Sequence, residues 1–387
     1  GNPICVDFIF QIDDAHKLTE SQKRYLREEL IENRKTATVW IAERLESLTT
    51  TEILEDNNVP QRDYDEIRLD DPNKYIIPLL KKVSEVRSNY SISGINLASA
   101  LSENNPDEVD SKYKEIINNY QNRIRRCSML NMVESWFDLI DSKSTLREKA
   151  IYYRSVLVFL SRKQNRDYDG QLRMFPYEAE DMEGELKLIV SQVERFFENE
   201  NNMVAYYGEK MLYEMSSYNI EQFLSFASCQ YNLLLSKKLS SPNHYDLTTA
   251  EQDKIYKDEC LQRYDNLKRL KGGVELINFI NHLMKFCRQE TFSDSHSYLV
   301  VSGFAVQEEN KNSKMFWFQE KGNKQLANVL RLCLAYNLLT KSETFQGGKE
   351  QKGTVFYMNR WLCVVCGIPL DRGGWRKIST KKLKLWM

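Results

Sequence analysis

Apolar side chains recur at helical spacing through the long middle of this chain, and this periodicity limits the possible fold more than any other feature. In one stretch, Ile76, Leu79, Leu80 and Val83 fall on a single side of a helix. The same spacing returns in stretches that polar residues separate: 109–141, 145–162, 182–199, 205–214, 219–238 and 250–288. The sequence therefore predicts a mainly α protein, without a convincing internal repeat.

The first seventy residues instead alternate between strand and helix patterns. Residues 4–12, 36–42 and 65–69 are rich in β-branched and aromatic side chains, which is typical of strands. Helices are predicted between them, at 19–33 with Thr19 as N-cap and at about 50–55. This order predicts part of a parallel sheet. Because the first strand lies so near residue 1, we expect earlier strands in a longer protein, and an open edge near Trp40 that recruits another chain.

The last hundred residues change character again. Short strands are predicted at 298–306 and 314–319, and an amphipathic helix at 322–339. A hairpin, 341–345 with 355–358, follows this helix at once, which is the layout of a winged helix-turn-helix. The predicted fold is thus mainly α, with a partial α/β start and a C-terminal winged-helix domain. We divide it into an α/β half-core, a helical lid and helical domain, and the winged-helix domain: 1–72, 73–250 and 251–387.

Charge and hydropathy exclude several classes of protein. The chain has 54 basic and 55 acidic residues, so any nucleic-acid surface must be local. No apolar run approaches the roughly 20 residues that span a bilayer. The start also lacks the basic region of a signal peptide. We therefore expect a cytoplasmic protein without a membrane partner.

Cysteine and histidine patterns give no site of their own. The eight cysteines are too few for a disulfide scaffold in 387 residues. The pair Cys363 and Cys366 lacks the further ligands that structural zinc requires, so buried thiols are the favoured interpretation. His244, His282 and His296 have no Ser or Cys partner at a recognisable spacing, which gives a hydrolase no support.

The segment from Phe8 to His16 carries the sharpest chemical signal. An apolar strand that ends in Asp13 and Asp14 is what a Walker B element needs, because strand burial fixes carboxylates at its carboxyl end. One carboxylate can then hold Mg²⁺ while the other orients water. A strand that simply ends in an acidic turn is common, and the spacing alone does not separate the two interpretations.

Polar residues next to the second and third predicted strands favour the Walker B interpretation. Glu43 and Arg44 end the second strand, where side chains can sense a γ-phosphate. Arg62 precedes the third strand, from which it can reach a partner subunit's phosphate and stabilise transition-state charge. Each arginine taken alone is more often a solvated surface residue.

Residues 6–69 resemble the second half of an AAA+ ATPase core, with Walker B strand, sensor strand and arginine-finger position in order. The helical stretch with 219–223 is similar to a lid, and the tail with 357–363 and 373–375 resembles bacterial ATPases related to the origin-recognition complex. The resemblance implies ATP and Mg²⁺, with Asp13 as a metal ligand and Asp13, Asp14, Glu43, Arg44 and Arg62 as catalytic positions.

The sequence departs from that family in one decisive place. No Walker A motif is present. The segment most similar to it, 348–354, has Thr354 where the motif has Lys. That segment also falls in the predicted hairpin, whereas a phosphate-binding loop lies directly before the N-terminus of a helix. We expect ATP and Mg²⁺ to bind only a longer protein, and this chain to be inactive by itself.

Cations crowd the last fifty residues and suggest a local nucleic-acid surface. Such cations position phosphates, and a wing can enter a minor groove. The alternative is a solvated basic end on a winged helix that binds protein. Trp361 and Leu362 are interpreted as core. The candidate nucleic-acid contacts are Lys341, Lys349, Lys352, Arg372, Arg376 and Lys377.

Two hypotheses on function follow. The favoured one is the C-terminal portion of a nucleotide-switched AAA+ ATPase that handles DNA through a winged helix. The rival is a protein-interaction module with a relic half-core. Self-association or a partner protein is expected under both hypotheses.

Overall fold

The computed structural model describes most of the 387 residues, and every structural statement below concerns those residues. They are 9–29, 38–45, 48–54, 76–90, 94–103, 110–166, 177–293, 300–307, 317–345, 352–370 and 374–387. The predicted strand at 65–69 and the positions Arg62, Lys349 and Arg372 lie outside these ranges.

The protein is mostly helical, with two small sheets near its ends. The strands are β1 (Ile9–Ile12), β2 (Thr38–Ile41), β3 (Val301–Gln307), β4 (Leu339–Phe345), β5 (Lys352–Met358) and β6 (Gly374–Ser379). The helices are α1 (Glu20–Arg27), α2 (Thr50–Leu54), α3 (Ile76–Asn89), α4 (Asp110–Arg125), α5 (Trp136–Asp141), α6 (Leu146–Arg166), α7 (Asp181–Glu200), α8 (Glu209–Met215), α9 (Ile220–Ser240), α10 (Thr249–Asn266), α11 (Gly273–Phe292), α12 (Lys324–Ala335), α13 (Arg360–Cys366) and α14 (Thr380–Lys384).

The first sheet pairs β1 and β2 in parallel, with Ile12 opposite Ile41. This confirms the parallel arrangement predicted from the strand–helix–strand order. Helix α1 begins where it was predicted, because Thr19 and Gln22 form a capping box that satisfies two backbone N–H groups. The sheet is thinly covered, since Ile9, Phe10 and Trp40 are each more than half exposed.

A first helical core is built by α4 to α7. The side chains of Trp136, Phe159 and Tyr177 pack as a cluster of rings whose centroids lie 5.2–5.6 Å apart. The Trp136 indole also donates to the Glu178 carbonyl at 2.9 Å, so its polar end is satisfied within the protein. All the buried residues of this core lie between Tyr113 and Met203.

The second core is larger and gathers residues from distant parts of the sequence. It runs from Ile53 and the loop around Leu97 through α8–α13 to Trp386. Its sheet has the strand order β4-β5-β3-β6, in which β6 is parallel to β3 and the other pairs are antiparallel. Phe304 of β3 is fully buried at its centre.

The two cores meet at a buried ion pair. The Arg154 guanidinium on α6 is 1% exposed and contacts Glu200 on α7 at 2.8 Å. It also donates to the backbone carbonyl of Phe292, at the end of α11. The Phe292 ring packs against Phe196 with centroids 5.9 Å apart. A charge with this little exposure requires such partners, and here they join the two cores.

One predicted element is wrong, and others are confirmed with shifted ends. Residues 317–319 form a 3-10 turn instead of the end of a strand, because Asn323 donates to the Trp317 carbonyl and closes the chain back on itself. The hairpin after α12 is present as β4 and β5, which places Thr354 in a strand. No helix among the described residues is long and apolar enough to cross a membrane.

Candidate functional site

The carboxyl edge of the first sheet brings together the acidic pair and the polar pair found in the sequence. Because β1 and β2 are parallel and end in register, Asp13 and Asp14 leave the same edge as Glu43 and Arg44. Two backbone bonds hold this edge, from Ala42 to the Ile12 carbonyl at 2.8 Å and from Ala15 to the Ala42 carbonyl at 3.0 Å. The structure does not describe Arg62.

The two carboxylates at this edge have different surroundings. Asp13 is exposed, and one of its oxygens accepts the backbone N–H of Asp14 at 2.7 Å. Asp14 has a left-handed backbone, with φ of 55°, and its carboxylate accepts a hydrogen bond from the Lys17 ammonium. That bond is the main reason why the pKa of Asp14 is lowered, and Lys17, His16 and Arg44 also lower it through their charges.

This difference decides what each carboxylate can do. An exposed carboxylate at a strand edge is a hard oxygen donor and fits the ligand preference of Mg²⁺. Bound there, Mg²⁺ would neutralise phosphate charge, and Asp13 would hold it directly or through water. The Lys17 ammonium donates to the Asp14 carboxylate and lowers its pKa. Asp13 is thus the more accessible of the two carboxylates at this edge.

The predicted nucleic-acid residues are not equally available for a partner. The Lys341 ammonium on β4 donates to the backbone carbonyl of Ile53 at 3.3 Å. Arg376 on β6 donates to the Glu290 carboxylate at 2.9 Å, so part of its charge is compensated within the protein. Lys377 is exposed, whereas of Lys352 only the backbone, at the start of β5, is described.

Sequence reasoning missed a second group of cations that the fold brings together. Lys321 and Lys324 stand exposed at the start of α12. The ammonium of Lys384, on α14, lies 3.8 Å from the point that a Cβ on Gly322 would occupy. Lys384 lies sixty residues beyond Lys324 in the sequence. The only sign of this group in the sequence was therefore the high number of lysines in the tail. We call Lys321, Lys324 and Lys384 the α12 basic cluster.

Other candidate chemistry is accounted for by packing. Cys363 and Cys366 are buried on α13, which confirms the prediction of buried thiols, and burial raises the pKa of Cys366 to about 12. Among the described residues, no group of three or more His, Cys, Asp and Glu side chains could hold a metal ion. Trp361 and Leu362 are core residues, as predicted.

A family model described as ORC-CDC6-like matches residues 5–378, which is nearly the whole chain. No curated protein and no solved structure matches it. The match spans the first sheet, both helical cores and most of the second sheet together.

Proposed function

The chain belongs to the ORC-CDC6-like family, and on that premise we propose that it is a portion of a nucleotide-switched AAA+ ATPase that handles DNA through a winged helix. The family relates the chain to AAA+ ATPases, whose members usually bind ATP with Mg²⁺. Two parts of the molecule support the finer proposal. They are the carboxyl edge of the first sheet and the surface around α12.

The nucleotide half of the proposal rests on the edge formed by β1 and β2. Asp13 supplies an oxygen ligand there, and Glu43 and Arg44 follow the neighbouring strand at the same edge. The 387 residues contain no phosphate loop, so the chain by itself does not hold a complete ATP site. Since Asp14 is tied to Lys17, the site is better suited to a switch that binds nucleotide than to rapid hydrolysis.

The DNA half rests on one observation above the others. Helix α12 leads directly into the hairpin β4–β5, β3 pairs with β5 on the other side, and the α12 basic cluster surrounds the start of the helix. In helix-turn-helix proteins, the N-terminal residues of the recognition helix reach base edges. Lys324, Gln325 and Asn328 are the exposed residues in that position here.

Salt-dependent DNA binding tests this proposal. Replacing Lys324 and Lys384 with Ala should weaken binding to any labelled duplex, and should reduce the slope of log K against log salt by about 2. A matched control is the double replacement of Lys114 and Lys187, which are exposed lysines of the first core. Fluorescence anisotropy at low and moderate salt measures both effects.

The rival function is a protein-interaction module with a relic half-core. The exposed apolar side chains of the first sheet favour it, because Ile9, Phe10 and Trp40 together offer a surface for another polypeptide. Absence of DNA binding even at low salt would support this rival. Equal losses from the Lys324/Lys384 and Lys114/Lys187 variants would do the same, since the effect would then be one of net charge alone.

A further inference from the structure

Helix α12 is covered on one half of the side that a DNA-reading helix must expose. A helix that packs on a core from one side leaves its opposite side to solvent. The core side of α12 holds Leu326, Leu330 and Cys333, all fully buried. On the opposite side Lys324 and Asn328 are exposed, but Ala335, about two turns beyond Asn328, is only 6% exposed. A further segment of the chain therefore covers the second half of this side.

The cover includes the segment 48–54, which contains α2. This helix packs against α12 and against the 3-10 turn at Trp317–Gln319. Ile53 and Leu54 are 6% and 4% exposed and belong to the second core, and Leu48 packs against that core. We call residues 48–54 the covering segment.

Two cations hold the covering segment by its backbone. Arg331 of α12 donates to the Leu48 carbonyl at 3.3 Å, and Lys341 of β4 donates to the Ile53 carbonyl at the same distance. Arg331 lies on the outward side of α12, and Lys341 lies at the base of the hairpin. On a winged helix bound to DNA, these are places from which cations reach phosphate oxygens. Here, Arg331 and Lys341 are bonded to carbonyl oxygens of the covering segment instead.

A DNA groove cannot hold both α12 and the covering segment. The major groove is about 12 Å wide, and a helix with its side chains is about 10–12 Å across. If α12 entered a groove along its length, α2 and the DNA would claim the same space. The two states are thus mutually exclusive, whereas contacts from the exposed Lys324 and Asn328 to DNA are compatible with both.

The covering segment is tied closely to the candidate nucleotide edge. Ala42 is bonded to both Ile12 and Ala15, and Glu43 and Arg44 follow it at the edge. Only three residues lie between Arg44 and Leu48, so they span about 10–14 Å at full extension. The Leu48 N–H also donates to the Leu45 carbonyl at 3.1 Å, so a short turn joins this edge to the segment that covers α12.

We infer that the covering segment is an intramolecular inhibitor of DNA binding, which competes with DNA for α12 and is released by movement of the β1–β2 edge. The inference rests on the proposed function and names the regulation of that same surface. In the covered state only the start of α12 and the α12 basic cluster contact DNA. In the released state Arg331 and Lys341 exchange carbonyl partners for phosphates.

The test is to release the segment without touching α12. Ile53→Asp places a charge in the buried contact, and should raise amide exchange across 48–54 while leaving 324–335 protected. DNA affinity should rise about 10- to 100-fold, as expected when a binding-competent state goes from a minor to the dominant population. The salt slope should grow by about 2. Added negative charge alone would weaken DNA binding, so the expected direction opposes simple electrostatics.

Two variants keep this test interpretable. Leu188→Asp makes the same change in charge at an exposed position of α7, and should not increase affinity. Ile53→Ala is milder and should shift exchange and affinity in the same direction by less. In the Ile53→Asp background, Lys341→Met should weaken DNA binding more than it does in the wild type, because only the released lysine reaches DNA.

The outcomes separate the two proposals. If exchange across 48–54 rises while affinity stays constant or falls, the inhibitory role is overturned and DNA binding itself stands. If neither the wild type nor any Ile53 variant binds duplex at low salt, the proposed DNA function fails and the inhibitory role fails with it. A gain in affinity confined to the Ile53 variants supports both.

Discussion

The first strand of each sheet contains similar residues, but the two strands differ in how deeply those residues are buried. In β1 the first three residues, Ile9 to Gln11, are exposed, whereas in β3 the first five residues, Val301 to Ala305, are fully buried. Both strands are rich in β-branched and aromatic side chains. The difference comes from their neighbours. Helix α11 and two flanking strands cover β3, while among the described residues β1 has only β2 as a partner strand.

This comparison shows how unevenly burial is distributed between the two ends of the chain. A two-stranded sheet is marginal by itself and needs further strands or a covering layer. The strand burial expected for β1 and β2 is not found, since Ile9, Phe10 and Trp40 are each more than half exposed, and recruitment of another chain to this edge stays a prediction. The second sheet packs against α12 through β4.

Hydrogen exchange should show the largest difference between the two sheets. Amides of β3 are expected to exchange only through global unfolding, and those of β1 and β2 through local opening. Their rates, corrected for intrinsic chemistry, should differ by at least about a thousandfold, since global stabilities are about 5–15 kcal/mol. Mass spectrometry of peptides covering 9–12, 38–41 and 301–307 measures this. Equal protection in a strictly monomeric protein would remove the contrast.

Matched phenylalanine truncations test the same contrast in free energy. Phe304→Ala should lower the free energy of unfolding by about 3–5 kcal/mol, because the ring is fully buried and stacks on Phe356 with centroids 5.5 Å apart. Phe10→Ala should cost no more than about 0.5 kcal/mol, since its side chain is 56% exposed. Urea denaturation of both variants gives the values. A large cost for Phe10→Ala would mean that β1 is buried in solution.

A pair of glycine substitutions sharpens the comparison on a smaller scale. A Cβ on Gly374 of β6 would lie 2.3 Å from the Val300 carbonyl oxygen, so Gly374→Ala should destabilise by about 1–3 kcal/mol. Gly184 on α7 has open space around its Cβ position, and Gly184→Ala should stabilise by about 0.5–1 kcal/mol through helix propensity. Thermal unfolding followed by circular dichroism measures both. Equal shifts in Tm would show that the backbone of β6 moves to make room for the added Cβ, contrary to this prediction.

Local sequence patterns predicted the elements well. The spacing of apolar residues located the helices, and Thr19 with Gln22 fixed the start of α1. The parallel pairing of β1 and β2 followed from their order along the chain, which also predicted that Asp13 and Glu43 would share an edge. These features depend on neighbours in sequence or on connection rules, so one sequence suffices for them.

The candidate site was only half visible at that level. Residue types located the acidic edge, but no pattern indicated the left-handed backbone at Asp14 or its hydrogen bond with Lys17. The 3-10 turn at Trp317–Gln319 was mistaken for strand because its aromatic residues suit both. The α12 basic cluster needed α14 to return beside Gly322.

What the sequence determined by itself was therefore a mainly helical chain with strands at both ends and a carboxylate pair at one strand edge. Only the tertiary structure decided that β6 pairs with β3, that Arg154 joins two cores, and that residues 48–54 cover α12. Helix periodicity and capping arise between residues a few positions apart, and each can be judged from a short window. Contacts such as Arg331 with Leu48 join residues 283 positions apart, and they form only because the whole core brings the two segments together.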